Sequence, residues 1–113
     1  MSRSIVTNYE KISAFSGRTD NLVPHHLLFG KGIRSLAEED GIWIPLTTDE
    51  HTASSRGTIY QIHDNPAAEK LSKMCGQLAW EKHYIAEKRG LPFEDIEEEA
   101  REAFRKRYQN SWL

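Results

Sequence analysis

The sequence predicts an α+β fold, in which a two-stranded β-hairpin and a short helix precede two C-terminal helices. Two short apolar runs, at residues 22–29 and 42–46, are separated by a polar segment and are typical of strands. From residue 64 onward, apolar residues recur at spacings of three and four, the period of a helix buried on one face. Because 113 residues are the size of one ordinary domain, we expect residues 1–113 to form a single unit.

The first half of the chain divides into an arm and a hairpin region. Residues 1–20 are polar and mixed, and we expect an N-terminal arm with a turn at Ser16-Gly17. Residues 21–63 are predicted to hold the two strands and the short helix. The segment between the strands, GKGIRSLAEEDG, contains glycines and charges and is predicted to be a long loop.

Residues 64–113 are predicted to form two helices packed as an antiparallel pair. Asn65 before Pro66 predicts a cap and a first helical turn, and Gly90 predicts the end of the first helix. Trp80 and Tyr84, one turn apart, indicate that this helix is covered on a second side. Its main buried stripe is predicted to contain Leu71, Met74, Cys75, Leu78 and Ile85, and that of the second helix Phe93, Ile96, Ala100, Ala103, Phe104 and Tyr108.

Composition limits the possible functions. A formal net charge of -2 and a pI near 6.2 give no overall attraction to the phosphates of nucleic acid. The single cysteine excludes a disulfide or a cysteine-based zinc ribbon within the chain. No apolar run approaches the roughly 20 residues that a bilayer span needs, and the N-terminus lacks a signal-peptide pattern. We therefore expect a cytoplasmic protein without a membrane segment.

Histidines are the most informative residues of the middle region. Four of the five in the chain are His25, His26, His51 and His63. Neutral imidazole is both a metal ligand and a base near pH 7. Neighbours in a regular strand point to opposite faces, so His25 and His26 can serve one site only if the strand ends or twists there. The alternative is that one of them packs, the other faces solvent and His51 caps a helix.

The motifs around these histidines resemble the HNH, or His-Me finger, endonucleases, in particular the small phage and prophage members. The resemblance runs from GRTDNLVPHHLLFG through DGIWIPLTTDEH to QIHDN, over most of residues 16–85, and FRKRYQNSWL is similar to their aromatic C-terminus. It implies a ββα-metal motif in which the hairpin and helix hold one divalent ion, Mg²⁺ or Mn²⁺ with Zn²⁺ as an alternative. It also implies hydrolysis of DNA phosphodiester bonds.

The resemblance assigns roles to individual residues. It implies that His26 is the general base that activates the attacking water, and that His25 and His51 are metal ligands. Such an ion stabilises charge on the phosphate, while an unliganded imidazole activates water at neutral pH. His63 would be a further ligand or a phosphate contact. A guanidinium fork suits a phosphate oxygen, so Arg34 would contact the phosphate, with Lys31 and Arg56 completing a local basic group.

The sequence also departs from that family. Thr47 stands where the family has a cysteine, and the cysteine pairs that bind zinc in many members are absent. Glu50 replaces the first histidine of the family's later pair, and it could ligate metal or face solvent at the start of the short helix. The central asparagine that orients the base in the family has no counterpart here.

The sequence thus predicts a metal-dependent DNA endonuclease linked to phage or prophage recombination or genome processing. Its expected partners are DNA, a recombinase or other phage protein, and a second copy of the chain. One alternative is a non-catalytic DNA-binding or recombination accessory protein on the same scaffold. Another is a structural metal module whose helical half binds a protein partner.

Overall fold

The structure, a computed structural model, describes residues 2–51, 65–88 and 93–113 and confirms the α+β class. Its elements in chain order are β1 (Leu22–His26), α1 (Ile33–Asp40), β2 (Trp43–Thr47), α2 (Thr48–His51), α3 (Pro66–Glu87) and α4 (Phe93–Tyr108). The two strands form an antiparallel sheet. Within the described ranges, no helix is both long and apolar enough to cross a membrane.

The hairpin is covered on more than one side. Its register runs from Leu22 opposite Thr47 to His26 opposite Trp43, and every residue of β2 is buried. The N-terminal arm lies along the edge of β2 that β1 leaves open, where the Ser4 hydroxyl donates to the Trp43 carbonyl over 2.6 Å. The Trp43 indole in turn donates to the backbone carbonyl of Ser2 over 2.8 Å. The predicted arm is therefore an ordered part of the hairpin layer.

The connection between the strands corrects the prediction of a long loop, because it contains the eight-residue helix α1. Two glycines with positive φ, Gly32 at 79° and Gly41 at 72°, lie at its two ends. Glycine adopts this conformation without a steric penalty, so the glycines bound the helix and do not interrupt it. Between them, Ile33, Leu36 and Ala37 have helical spacing, and Ala37 is completely buried.

The buried face of α3 differs from the predicted apolar stripe. Cys75, predicted to be a buried small hydrophobe, is exposed, and Leu71 and Leu78 are 59% and 52% exposed. The residues that α3 buries are instead mainly polar, namely Ser72, Gly76, Gln77 and Glu81. The prediction of this face from hydrophobic periodicity was wrong.

Two features explain which face of α3 is buried: its backbone lies close to Leu28 at Gly76, and its buried polar side chains are hydrogen-bonded. A Cβ at Gly76 would lie 2.9 Å from side-chain atoms of Leu28, so only glycine lets α3 pack this closely on the hairpin. Gln77 is fully buried, but its side chain accepts from the backbone N–H of Trp112 and donates to Glu81. Buried polar groups that are hydrogen-bonded in this way avoid most of the cost of losing water.

The second helix buries most of its predicted stripe; Ala103 is half-buried, and the side chain of Phe93 lies outside what the structure describes. Ile96, Ala100, Phe104 and Tyr108 of α4 are buried. The Trp80 ring of α3 contacts both Phe104 and Tyr108, with ring centroids 5.5 and 6.5 Å apart, so α3 is covered on the side that Trp80 indicated. Residues near the end of α3 contact residues near the start of α4, and earlier residues of α3 contact later residues of the C-terminal segment. The two helices are therefore antiparallel, as predicted.

The predicted start of α3 is confirmed, and its predicted end lies outside the described residues. The Asn65 side chain accepts hydrogen bonds from the backbone N–H groups of Ala67 and Ala68, which confirms the cap, and Pro66 occupies the first turn. The helix continues to Glu87. Gly90, the predicted stop, lies outside the described residues.

Candidate functional site

His25 and His51 lie side by side in the structure. His25, on β1, is completely buried, and its ring centroid is 5.1 Å from that of His51 on α2, with 65° between the ring planes. The ring centroid of Phe29 is 5.7 Å from that of His25. Because α2 follows β2 directly and contacts β1, one helical turn carries His51 from the end of β2 back over the first strand. The hairpin thus assembles the two predicted metal ligands.

The hydrogen bonds of Ser72 fix the tautomer of His25. The Ser72 hydroxyl donates to the Leu27 carbonyl over 2.9 Å, and His25 Nε2 lies 2.9 Å from the same hydroxyl oxygen. A hydroxyl has one proton and a carbonyl only accepts, so His25 Nε2–H is the donor to Ser72. In the neutral ring the lone pair is then on Nδ1. A hydrogen bond to the far nitrogen is the arrangement that orients metal-binding histidines.

The separation of the two rings matches that of two imidazoles bound to one divalent ion. With metal–nitrogen distances of about 2.1 Å, two imidazoles that share one ion at a tetrahedral angle have centroids roughly 5 Å apart, close to the 5.1 Å observed. Over residues 2–51, 65–88 and 93–113 the structure contains no group of three or more His, Cys, Asp or Glu side chains that could hold an ion. His63, the predicted further ligand, lies outside those ranges.

Glu50 caps the helix that carries His51. Its carboxylate accepts from the Ser13 hydroxyl over 2.6 Å and from the Thr47 backbone N–H over 2.8 Å. In return the Thr47 hydroxyl accepts from the Glu50 backbone N–H over 3.3 Å, which completes a capping box. Burial raises the pKa of Glu50, but hydrogen bonds from Ser13 and Thr47 outweigh it and hold the pKa below its ordinary value. Thr47 and Glu50, both departures from the family pattern, thus fix the start of α2.

His26 lies at the end of β1 and projects from the other face of the strand. It is only 5% exposed, and its Nε2 atom is 3.0 Å from Oε1 of Glu38 on α1. It borders a pocket of about 420 Å³ whose lining residues are His26, Gly32, Arg34, Ser35 and Glu38. The structure therefore joins His25 with His51, and it places His26 in a second group beside Arg34.

Glu38 is a site residue that sequence reasoning missed. The prediction of a loop over this segment gave no reason to place any of its side chains near His26. The available signal was the helical spacing within IRSLAEED, which puts Arg34 and Glu38 one turn apart on the same face. The hydrogen bond from His26 is the largest cause that lowers the pKa of Glu38.

One basic side chain of the described residues lines this pocket. Arg34 lines the pocket, and both Arg34 and Lys31 are exposed. Arg56, the third member of the predicted basic group, lies outside the part of the chain that the structure describes. His83, the fifth histidine, is on the surface of α3, and its Nε2 atom is 3.0 Å from the carboxylate of Glu87.

Comparison with protein-family models, with curated proteins and with solved structures finds no match for this chain. The resemblance to the HNH endonucleases therefore depends on the sequence motifs alone. The structure shows two separate histidine groups, His25 with His51 and His26 with Glu38.

Proposed function

We propose that this protein is a metal-dependent endonuclease that hydrolyses DNA phosphodiester bonds and serves phage or prophage recombination or genome processing. The observation that carries the proposal is His26, a buried and hydrogen-bonded imidazole that borders a pocket shared with an exposed arginine. An imidazole next to a guanidinium combines a base that works near neutral pH with a group that binds phosphate oxygens.

These residues supply the steps of a hydrolysis. Arg34 binds a non-bridging oxygen of the phosphodiester. The unprotonated ring nitrogen of His26 takes one proton from a water molecule as the water oxygen forms a bond to phosphorus. The bond from phosphorus to the sugar oxygen breaks, and that oxygen leaves with the electron pair and takes up a proton from solvent. His26 then loses its proton to solvent, and the products are a phosphomonoester and a hydroxyl end.

His25 and His51 are the residues that would hold the ion. When bound, a divalent ion would stabilise negative charge on the phosphate and on the leaving oxygen. His25 and His26 are consecutive, so their Cα atoms are about 3.8 Å apart. The hydrogen bond from His25 to Ser72 and the Glu50 cap of α2 hold the two ligands in place.

The charge distribution predicts weak and salt-sensitive DNA binding. The chain carries a formal net charge of -2, so the whole molecule does not attract a polyanion. Arg34 provides a positive charge at the pocket, and the exposed Lys31 lies three residues before it in the chain. Few phosphate contacts give a small electrostatic contribution that increasing salt removes. A DNA-binding partner, such as a recombinase or a second copy of the chain, would supply the missing affinity.

A second candidate is a non-catalytic DNA-binding or recombination accessory protein. The observation that favours it is the position of His26, which contacts α1 whereas His25 contacts α2 and α3. A base and a metal pair on opposite faces of a strand are less suited to act on one phosphate than groups on the same face.

Cleavage of end-labelled single- and double-stranded DNA tests the metal dependence. We expect cleavage with Mg²⁺ or Mn²⁺ and none with EDTA, and a 10–100-fold lower rate in His51→Ala, because loss of a ligand weakens ion binding. The exposed His83→Ala is the control and should cleave at the wild-type rate. Metal-independent cleavage, or equal activity of His51→Ala and wild type, would contradict the metal role. DNA retention without cleavage would favour the accessory function.

A further inference from the structure

We propose that Glu38 is a positioning residue that orients the His26 ring. The proposed function is needed for the effect on catalysis, but the orientation itself can be measured without DNA. A contact between His26 and Glu38 connects the end of β1 to α1.

Both oxygens of the Glu38 carboxylate accept hydrogen bonds. Oε1 lies 3.0 Å from His26 Nε2, and Oε2 accepts from the backbone N–H of Ser2 over 3.1 Å. The Ser2 carbonyl is itself bound by the Trp43 indole on the hairpin. A carboxylate held at both oxygens has little freedom to rotate, so it presents a fixed acceptor to His26.

The helix that carries Glu38 is also fixed. The neighbouring Ala37 is completely buried in the core, and the backbone N–H of Gly41 donates to carbonyls of the last helical turn. A site residue on a rigid element positions its partner more precisely than one on a loop. Glu38 is thus on a helix that is fixed by the core and by its C-terminal hydrogen bonds, and this fixes its position relative to His26.

The chemistry of the pair decides which nitrogen of His26 carries the proton. A glutamate carboxyl is ionised near neutral pH at its ordinary pKa, and the hydrogen bond from the Ser2 N–H also lowers the pKa of Glu38, so the carboxylate can only accept. His26 Nε2 must therefore be the donor, and the lone pair of the neutral ring is on Nδ1. A base whose far nitrogen donates to a carboxylate is held in one tautomer and one ring orientation.

Nitrogen NMR of the histidine side chains at pH 8 tests the orientation directly. In the wild type we expect His26 to be the Nε2–H tautomer. Glu38→Gln keeps one acceptor oxygen for two donors; turned toward His26 at the expense of the Ser2 hydrogen bond, this oxygen should keep the tautomer, whereas Glu38→Ala should give a mixture. Glu87→Ala removes the acceptor of the exposed His83 pair and is the matched control, with no effect on His26. An Nδ1–H tautomer in the wild type, or no response to Glu38→Ala, would overturn the proposal.

Cleavage kinetics test whether this orientation serves catalysis. We expect Glu38→Ala to lower kcat roughly 10–100-fold with little change in KM, and Glu38→Gln to recover most of the rate. A change in KM alone would overturn the positioning role. If the wild type does not cleave DNA, the proposed endonuclease function fails, and the NMR result alone decides whether Glu38 orients His26. Circular dichroism of each variant confirms that the fold is retained.

Discussion

Replacing Gly41 by alanine is expected to lower the free energy of unfolding by about 3–4 kcal/mol. Gly41 has φ of 72° at the end of α1, a conformation that costs a residue with a side chain roughly 1–2 kcal/mol. A Cβ at this position would also lie 2.2 Å from the backbone carbonyl oxygen of Arg3. Backbone cannot move as freely as the tip of a side chain, so the N-terminal arm would have to leave the hairpin. Urea denaturation followed by circular dichroism measures the change.

Gly32→Ala is the matched control for this prediction. Gly32 has a similar φ of 79° at the other end of α1, but a Cβ there would meet nothing within 4 Å among the described residues. The control should therefore lose only the conformational part, about 1–2 kcal/mol. If the two variants lose the same stability, the close approach of the arm to Gly41 does not contribute.

Asp40→Asn is expected to destabilise the protein by about 2–4 kcal/mol. The Asp40 carboxylate accepts from the Trp80 indole over 3.0 Å, from two nitrogens of Arg107 over 2.7 and 2.8 Å, and from the Tyr108 hydroxyl over 2.6 Å. These bonds connect the end of α1 to both long helices. An asparagine loses the charge, and its amide group places a donor against these donors.

The exposed neighbour Glu39 provides the control for Asp40. Glu39→Gln makes the same carboxylate-to-amide change on the surface of the same helix and should alter the free energy of unfolding by less than about 0.5 kcal/mol. Thermal and urea unfolding of the two variants give the comparison. Equal stabilities of Asp40→Asn and Glu39→Gln would show that the Asp40 hydrogen bonds do not hold the helices to α1.

Local sequence signals predicted the elements whose stability is decided locally. Asn65-Pro66 predicted the start of α3 because a cap and a first-turn proline act within one helical turn. The apolar spacing of α4 predicted its buried residues because that helix packs on the core along one face. The two apolar runs predicted both strands, although the first run, at residues 22–29, extends three residues past the end of β1 at His26.

Features that depend on distant contacts were missed. Nothing near Gly76 in the sequence shows that Leu28 will lie against it, so the buried side of α3 could not be deduced from its own apolar residues. Their spacing instead indicated a face that includes Cys75, which the structure exposes. Glycines in a polar segment indicate a loop, but the two around α1 lie at the ends of a helix.

The candidate site was predicted in part. The sequence motifs suggested that His25 and His51 belong together, and the structure places their rings 5.1 Å apart. The same motifs put His26 with them, whereas alternation along the strand directs it to α1. Its partner Glu38 is 12 residues away. The helical spacing within IRSLAEED places Glu38 on one face with Arg34, but it does not show that this face meets the end of β1.

Nicking of supercoiled plasmid at low salt with Mg²⁺ or Mn²⁺ tests the central claim, that His26 is the base of a metal-dependent nuclease. Wild type and the surface control His83→Ala are expected to nick equally. His26→Ala is expected to lose at least about 100-fold in rate, while its binding of Mn²⁺ is unchanged. Nicking by His26→Ala at the wild-type rate, or intact metal binding without nicking by the wild type, would contradict the account.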